Sequence, residues 1–140
     1  MFMAGRTGRK RRGMLLSCEL LWVLPILGGV FFAVVEFGLI WSAQHRMCAA
    51  SQVGARVASL PAESPQVREL AVRQAVDLAL AGTGLGGAYR LELVAGESSG
   101  DLVVVKLLAP MEQAAPDLLA MAGLSLRGRQ LIAQSVARRE

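Results

Sequence analysis

The longest apolar stretch of the chain lies near its N-terminus and predicts a membrane-spanning helix. No residue between Leu20 and Val35 is charged, and the apolar run resumes after Glu36 as far as Trp41. About twenty residues of this kind cross the hydrocarbon core of a bilayer as an α-helix. Trp22 and Trp41 lie toward the two ends of the stretch, where indole rings favour the membrane interface. The pattern therefore predicts one membrane span.

Helix-compatible residues continue on both sides of this span, so we predict a single long helix over residues 14–58. Pro25 lies inside it, and we expect a kink or local unwinding there, because proline lacks a backbone donor and clashes with the preceding turn. Small residues are frequent between positions 42 and 58. Such residues allow close packing, either on a partner helix or on the chain's own domain, and the sequence leaves both open.

Two prolines within residues 59–65 end this helix and begin another. Ser64 is expected to cap the second helix and Pro65 to occupy its first position. The helix should extend to Ala81. Its predicted apolar face consists of Val67, Leu70, Ala71, Ala75 and Leu78.

Alternating apolar and polar residues beyond position 88 predict a small sheet. Two strands, 89–95 and 102–109, flank a hairpin loop at 96–100, and Pro110 ends the second strand. A short helix over 116–122, closed by Gly123, should precede a third strand over 124–137. The predicted fold class is α+β: a long N-terminal transmembrane helix, then a small domain with a helix packed on a mostly antiparallel sheet of about three strands. Residues 59–140 are expected to be soluble when expressed alone, because they can bury a small core of their own.

Residues 82–87 match the G-x-G-x-x-G dinucleotide fingerprint, but in the wrong context. That motif follows a strand and opens a helix, whereas this one follows a predicted helix and leads into a predicted strand. We therefore expect a connector rather than a nucleotide site.

Positive charge is concentrated before the span and predicts its orientation. The net charge is +4, yet five of the 15 basic residues lie in residues 6–12, whereas all 11 acidic residues follow Gly13. The flank richer in Lys and Arg stays cytoplasmic. Residues 1–13 are thus predicted to be a disordered cationic leader inside the cell, residues 14–58 the helix, and residues 59–140 an extracytoplasmic domain. Because the rest of the chain is nearly neutral, no nucleic-acid partner is expected.

The residues needed for catalysis are scarce. His45 is the only histidine, so neither a histidine metal cluster nor a Ser-His-Asp triad can be assembled. Its place just after the span suggests a solvated or interfacial side chain. Cys18 and Cys48 would lie about 45 Å apart along one helix, too far to pair. We expect no enzymatic activity, no cofactor and no metal.

Several segments resemble the TadE-like family of the tight-adherence pilus system. They are Arg11-Arg12-Gly13 with a glutamate shortly after it, LWVLPIL at 21–27, VVEFG at 34–38, VGAR at 53–56 and the C-terminal VARRE. Proteins of this family are minor pilins or pseudopilins of the inner membrane, and they assist assembly of thin adhesive type IV-like pili involved in surface attachment or secretion. The resemblance implies the membrane, other pilin or pseudopilin subunits and a prepilin peptidase as partners.

The resemblance also implies site residues. Cleavage by the peptidase would fall between Gly13 and Met14, and subunit contacts during assembly would involve Glu19, Pro25, Glu36 and Gly38. One spacing departs from the family pattern, because Glu19 is the sixth residue after Gly13 where pilins have glutamate fifth. The alternative is an unprocessed bitopic membrane protein whose outer domain binds a partner or ligand.

Overall fold

One helix dominates the structure: α1 runs from Gly8 to Ser59 and contains 52 residues. A computed structural model describes the backbone of residues 8–96, 98 and 100–139, with side chains from Leu20 onward in those ranges. Residues 8–13, predicted to be disordered, are helical, which agrees with the good helix propensity of Arg and Lys. The helix also continues through Pro25, so the local unwinding predicted there is wrong. Proline removes only one backbone hydrogen bond, and a helix in an apolar setting tolerates it because an unwound backbone would leave more polar groups without partners.

The two halves of α1 have different surroundings. Its apolar side chains up to Trp41 are mostly exposed, whereas one face of its second half is buried in the domain core. That face consists of Ala43, Met47, Ala50, Ser51, Ala55 and Ala58. The small residues after the span therefore pack on the chain's own domain, which decides between the two alternatives that the sequence left open.

The second helix, α2, spans Pro65–Leu80 and begins as predicted. The Ser64 side chain caps it by accepting a hydrogen bond from the backbone N–H of Val67 at 3.3 Å, with Pro65 at the first position. The predicted apolar face is wrong, because Val67, Leu70 and Leu78 are exposed. The buried face is Arg68, Val72, Val76 and Leu80.

The domain contains a three-stranded antiparallel sheet, which confirms the predicted α+β class. Its strands are β1 (Arg90–Ala95), β2 (Leu102–Pro110) and β3 (Gln130–Arg138), in the order β1-β2-β3. In the register of the sheet, Val105 lies between Leu93 and Ser135. Alternate residues of β2 are buried against the helices, namely Val103, Val105, Leu107 and Ala109. Pro110 ends β2 as predicted, but β3 begins at Gln130 rather than near position 124.

The connection between β2 and β3 is compact and carries little helix. A short helix, α3, covers Met111–Ala114, and a single 3₁₀ turn covers Ala120–Ala122. Gly123 ends that turn in the left-handed conformation at φ 82°, as its predicted role requires. The helix predicted over 116–122 is otherwise wrong. This segment is instead held together by Asp117. Its carboxylate accepts hydrogen bonds from the Ser125 hydroxyl at 2.8 Å and the Leu126 N–H at 3.2 Å.

Residues 82–87 form the predicted connector between α2 and β1. Gly82 and Gly87 have positive φ angles of 76° and 77°, which side chains other than glycine rarely adopt. Leu85, between them, is buried in the core. The glycines thus let the chain reverse direction while Leu85 packs inward.

Gly54 lies at the junction of α1, α2 and β2. A Cβ atom at this position would be 3.0 Å from Val76 Cγ2 and 3.3 Å from Val105 Cγ1. The close approach of the three elements therefore depends on the missing side chain.

Candidate assembly surface on the first helix

The first half of α1 is apolar and almost wholly outside the domain core. Among the described residues, α1 is the one helix long and apolar enough to cross a membrane, and hardly any of its most apolar window is buried. A core helix of a soluble protein would be covered by its own chain. This half of α1 therefore needs lipid or other apolar helices around it.

The glycines on this surface do not pack closely against any other described part of the chain. A Cβ atom added at Gly28, Gly29 or Gly38 would have no atom within 4 Å, unlike one at Gly54. Small residues in a membrane helix let a second helix approach closely. Gly38, predicted as a subunit contact, is thus sterically open to such a neighbour.

Glu36 is the exception on this surface, because its side chain is only 3% exposed. The carboxylate oxygen Oε2 accepts a hydrogen bond from the backbone N–H of Leu119 at 2.9 Å. A charge-assisted bond of this kind lowers the cost of keeping a carboxylate out of water. The structure therefore places Glu36 in a contact within the chain, between α1 and the connection that precedes β3.

These features coincide with the one family match. Residues 18–56 match the TadE-like protein family. The match confirms the resemblance noted in the sequence, and it covers the exposed apolar half of α1 together with most of the half that packs in the domain. No curated protein and no solved structure matches the chain. The chain thus contains a segment similar to the TadE-like family, and that segment includes the helix half that is long and apolar enough to cross a membrane.

The structure describes the remaining predicted site residues to different extents. Pro25 lies on the uncovered half of α1. Gly13, Met14 and Glu19 lie in the part of α1 whose side chains are outside the described residues, so the predictions about cleavage and about Glu19 stay predictions. His45, two turns after Phe37, is exposed as expected, and its ring makes an edge contact with Trp41 at 5.1 Å between centroids.

The domain after the TadE-like segment has a charged cavity that sequence reasoning missed. It measures about 570 Å³ and is lined by Arg68, Arg139, Glu63 and Glu69 beside the first turn of α2. Arg68 is only 7% exposed, and its Nε has no hydrogen-bond partner. Arginine is rarely buried in this way, and nothing in the α2 sequence distinguishes it from the exposed Arg73. The two carboxylates balance the two guanidinium groups, so the cavity has no net preference for an anion.

Proposed function

We propose that the protein is a membrane-anchored minor pilin or pseudopilin that assists assembly of a tight-adherence pilus, a type IV-like filament used in surface attachment or secretion. The observation that carries the proposal is the overlap of the TadE-like match with a helix half that the chain leaves uncovered. In this role the protein needs no catalytic group. Its partners are the membrane and other pilin or pseudopilin subunits.

The mechanism follows from the exposed apolar surface of α1. Covering such a surface with lipid chains or with apolar helices is about equally favourable in free energy, because the hydrophobic effect does not distinguish them. The helix can therefore leave the bilayer for a bundle of like helices at little cost in free energy. Close packing at Gly38, where no other part of the chain intervenes, and the bend that proline favours at Pro25 would select the helices that fit.

The charge distribution supports an orientation with the N-terminus in the cytoplasm and the domain outside the inner membrane. Residues 1–13 are then the cytoplasmic leader and residues 59–140 the extracytoplasmic domain. If prepilin peptidase cuts after Gly13, Met14 carries a new positive amine close to the membrane. Glu19, between one and two helical turns further on, would neutralise that amine on a neighbouring subunit. Attraction between opposite charges is stronger in such a low-dielectric setting than in water, and it would favour correct register.

The mass of the mature N-terminus tests this proposal against its alternative. Loss of residues 1–13 from protein isolated from pilus-forming cells is expected for a processed pilin. An intact leader would favour the unprocessed bitopic protein whose outer domain binds a partner or ligand. Protease added from outside should also digest the domain and leave the membrane-spanning first half of α1, and a domain protected on the cytoplasmic side would overturn the proposed orientation.

Co-assembly measures the role of Glu19. We expect Glu19→Ala to insert into the membrane normally but to crosslink less to other pilins than the unmodified protein. Glu36→Ala is the matched control, since the Glu36 carboxylate already has a partner within its own chain. Equal crosslinking of Glu19→Ala and the unmodified protein would remove Glu19 from the mechanism.

A further inference from the structure

The segment Leu118–Leu124 is a second apolar surface, and it contacts the first half of α1 through Glu36. Within it, Met121 is fully exposed at 101%, and Leu124 is also exposed. The sequence of the segment, LLAMAGL, contains no charged residue. Exposed apolar residues that follow one another in this way generally mark a contact with something apolar.

The hydrogen bond between Glu36 and Leu119 fixes the height of this segment relative to α1. Glu36 lies about 24 Å beyond Leu20 along the helix, at about 1.5 Å per residue, whereas a hydrocarbon core is about 30 Å thick. The apolar surface of α1 also continues past Glu36, because Phe37 is 67% exposed and Trp41 is exposed as well. If the bilayer covers these side chains, it also reaches the segment that is bound to Glu36.

The backbone of the segment suits a shallow position in a bilayer. Inside it, the N–H groups of Ala122 and Leu124 both donate to the Leu119 carbonyl, at 2.9 and 3.1 Å, and the Gly123 N–H donates to Ala120 at 3.0 Å. The Leu119 N–H donates to Glu36. Backbone groups without partners are excluded from hydrocarbon, so this internal bonding removes a barrier to contact with lipid. Irregular backbone nevertheless belongs at the interface rather than at the centre of the membrane.

We propose that Leu118–Leu124 is a second membrane contact, in which Met121 and Leu124 insert into the lipid leaflet on the side of the domain. Glu36 is its positioning residue. The span and this segment together would hold the domain at two points, which fixes its tilt on the membrane surface. The proposal requires the membrane span but does not depend on whether α1 later enters a filament.

Depth-dependent fluorescence quenching tests this contact in the full-length protein. Single cysteines are introduced by Met121→Cys, Phe37→Cys or Leu102→Cys in a background with Cys18→Ser and Cys48→Ala. Each is labelled with an environment-sensitive fluorophore and reconstituted in vesicles that contain lipids spin-labelled near the headgroup end of the acyl chain. Leu102 is the matched control, because it is 63% exposed but lies at the opposite end of β2 from Pro110 and α3. Phe37 reports the span.

We expect lipid quenching at Met121 to approach that at Phe37 and to exceed that at Leu102 several-fold. Adding Glu36→Ala should reduce quenching at Met121 without changing Phe37, whereas Glu36→Gln, whose amide oxygen still accepts the Leu119 N–H, should preserve it. Quenching at Met121 no greater than at Leu102 would overturn the proposal while leaving the span intact. Absence of quenching at Phe37 would overturn it too, because the bilayer would then not reach the level of Glu36.

Discussion

Tyr89 shows how one side chain couples α2 to the start of the sheet. Its hydroxyl donates a hydrogen bond to Asp77 Oδ1 at 2.6 Å. Burial, and next the bond to this carboxylate, raise the pKa of Tyr89 to about 12. Both causes favour the neutral phenol, because the phenolate would lose water and face a negative charge.

The shifted pKa gives a stability change of definite sign at high pH. The folded state holds the phenolic proton more tightly than the unfolded state, whose ordinary pKa is about 10. The stabilisation is therefore complete below about pH 10 and is lost as the pH rises through about 12. We expect Tyr89→Phe to remove this part of the pH dependence of the free energy of unfolding.

Absorbance of the tyrosinate measures the pKa directly, because Tyr89 is the only tyrosine in the chain. In detergent-solubilised protein we expect the transition near pH 12. Asp77→Asn should move it toward lower pH, since the charge of the partner is gone while burial remains. A midpoint at the ordinary value in the unmodified protein would contradict the contact.

At the scale of single residues, Glu36 makes a contact that could not be predicted from the sequence. Glu36 directly follows the longest uncharged stretch, so its charge lies near the outer end of the predicted span, where the cost of burial is lower. Its partner is the backbone of Leu119, 83 residues away, and a backbone donor leaves no pattern in a sequence. The contact within the chain could therefore not be predicted from the sequence, and the role of Glu36 in subunit contact stays a prediction.

At the scale of elements, α2 shows why the bounds of a helix can be predicted correctly while its buried face is predicted wrongly. Ser64 and Pro65 mark its start without ambiguity, because capping is a local effect. Its apolar residues, however, form two stripes, and both have helical spacing. Val72, Val76 and Leu80 are buried, while Val67, Leu70 and Leu78 are exposed. Only the position of α1 decides between the stripes, and that is a property of the tertiary structure.

The alternation of apolar and polar residues predicted the buried face of the strands better than the apolar spacing predicted the buried face of α2. The sheet has one face on the helices and one exposed, so the side chains of β2 are buried at every second position. A side chain in a strand can point to only two faces, whereas apolar side chains on a helix can point in several directions. The buried face of a strand is therefore easier to predict than that of a helix. The start of β3 was misplaced because Leu124 and Leu126 extend its apolar pattern, yet Asp117 holds Leu126 in the preceding turn.

Gly54 provides a test of how closely the elements pack. We expect Gly54→Leu to lower the free energy of unfolding by about 1–3 kcal/mol or more, because the new side chain overpacks the space beside Val76 and Val105. Gly29→Leu is the control, since a side chain at Gly29 would have no neighbour within 4 Å. Denaturant unfolding of both variants in detergent, followed by circular dichroism, makes the comparison. Equal stability of the two would show that the junction is looser than these distances imply.

At the scale of the whole molecule, α1 belongs to two environments at once. Its first half offers an apolar surface to lipid or to other helices, and its second half is an internal part of the domain. Two polar contacts fix the second half to β3: Gln44 Nε2 donates to the Ile132 carbonyl at 2.9 Å, and the Ser51 and Ser135 hydroxyls are 2.8 Å apart. A force or displacement applied to the span is thus transmitted directly to the domain, without a flexible linker between them.

This arrangement bears on one prediction from the sequence, that residues 59–140 are soluble when expressed alone, and we now expect the opposite result. Without α1, the buried side chains of α2 and of the sheet lose the layer formed by Met47, Ala50 and Ala55. Burial of apolar area contributes about 25 cal/mol per Å², whereas the net stability of a domain is only about 5–15 kcal/mol. Loss of one whole layer of the core is enough to unfold a domain of this size.

Two fragments that differ only in the second half of α1 test this conclusion. We expect residues 42–140 to be soluble without detergent and to unfold cooperatively, because this fragment keeps every buried residue of α1 from Ala43 to Ser59 and omits the exposed apolar half. Residues 59–140 should instead aggregate or lack a cooperative transition. Thermal unfolding followed by circular dichroism distinguishes them, and Met47→Asp in the longer fragment should reproduce the loss by placing an unpaired charge in the core. A cooperative transition in residues 59–140 would show that α2 and the sheet can close a core without α1.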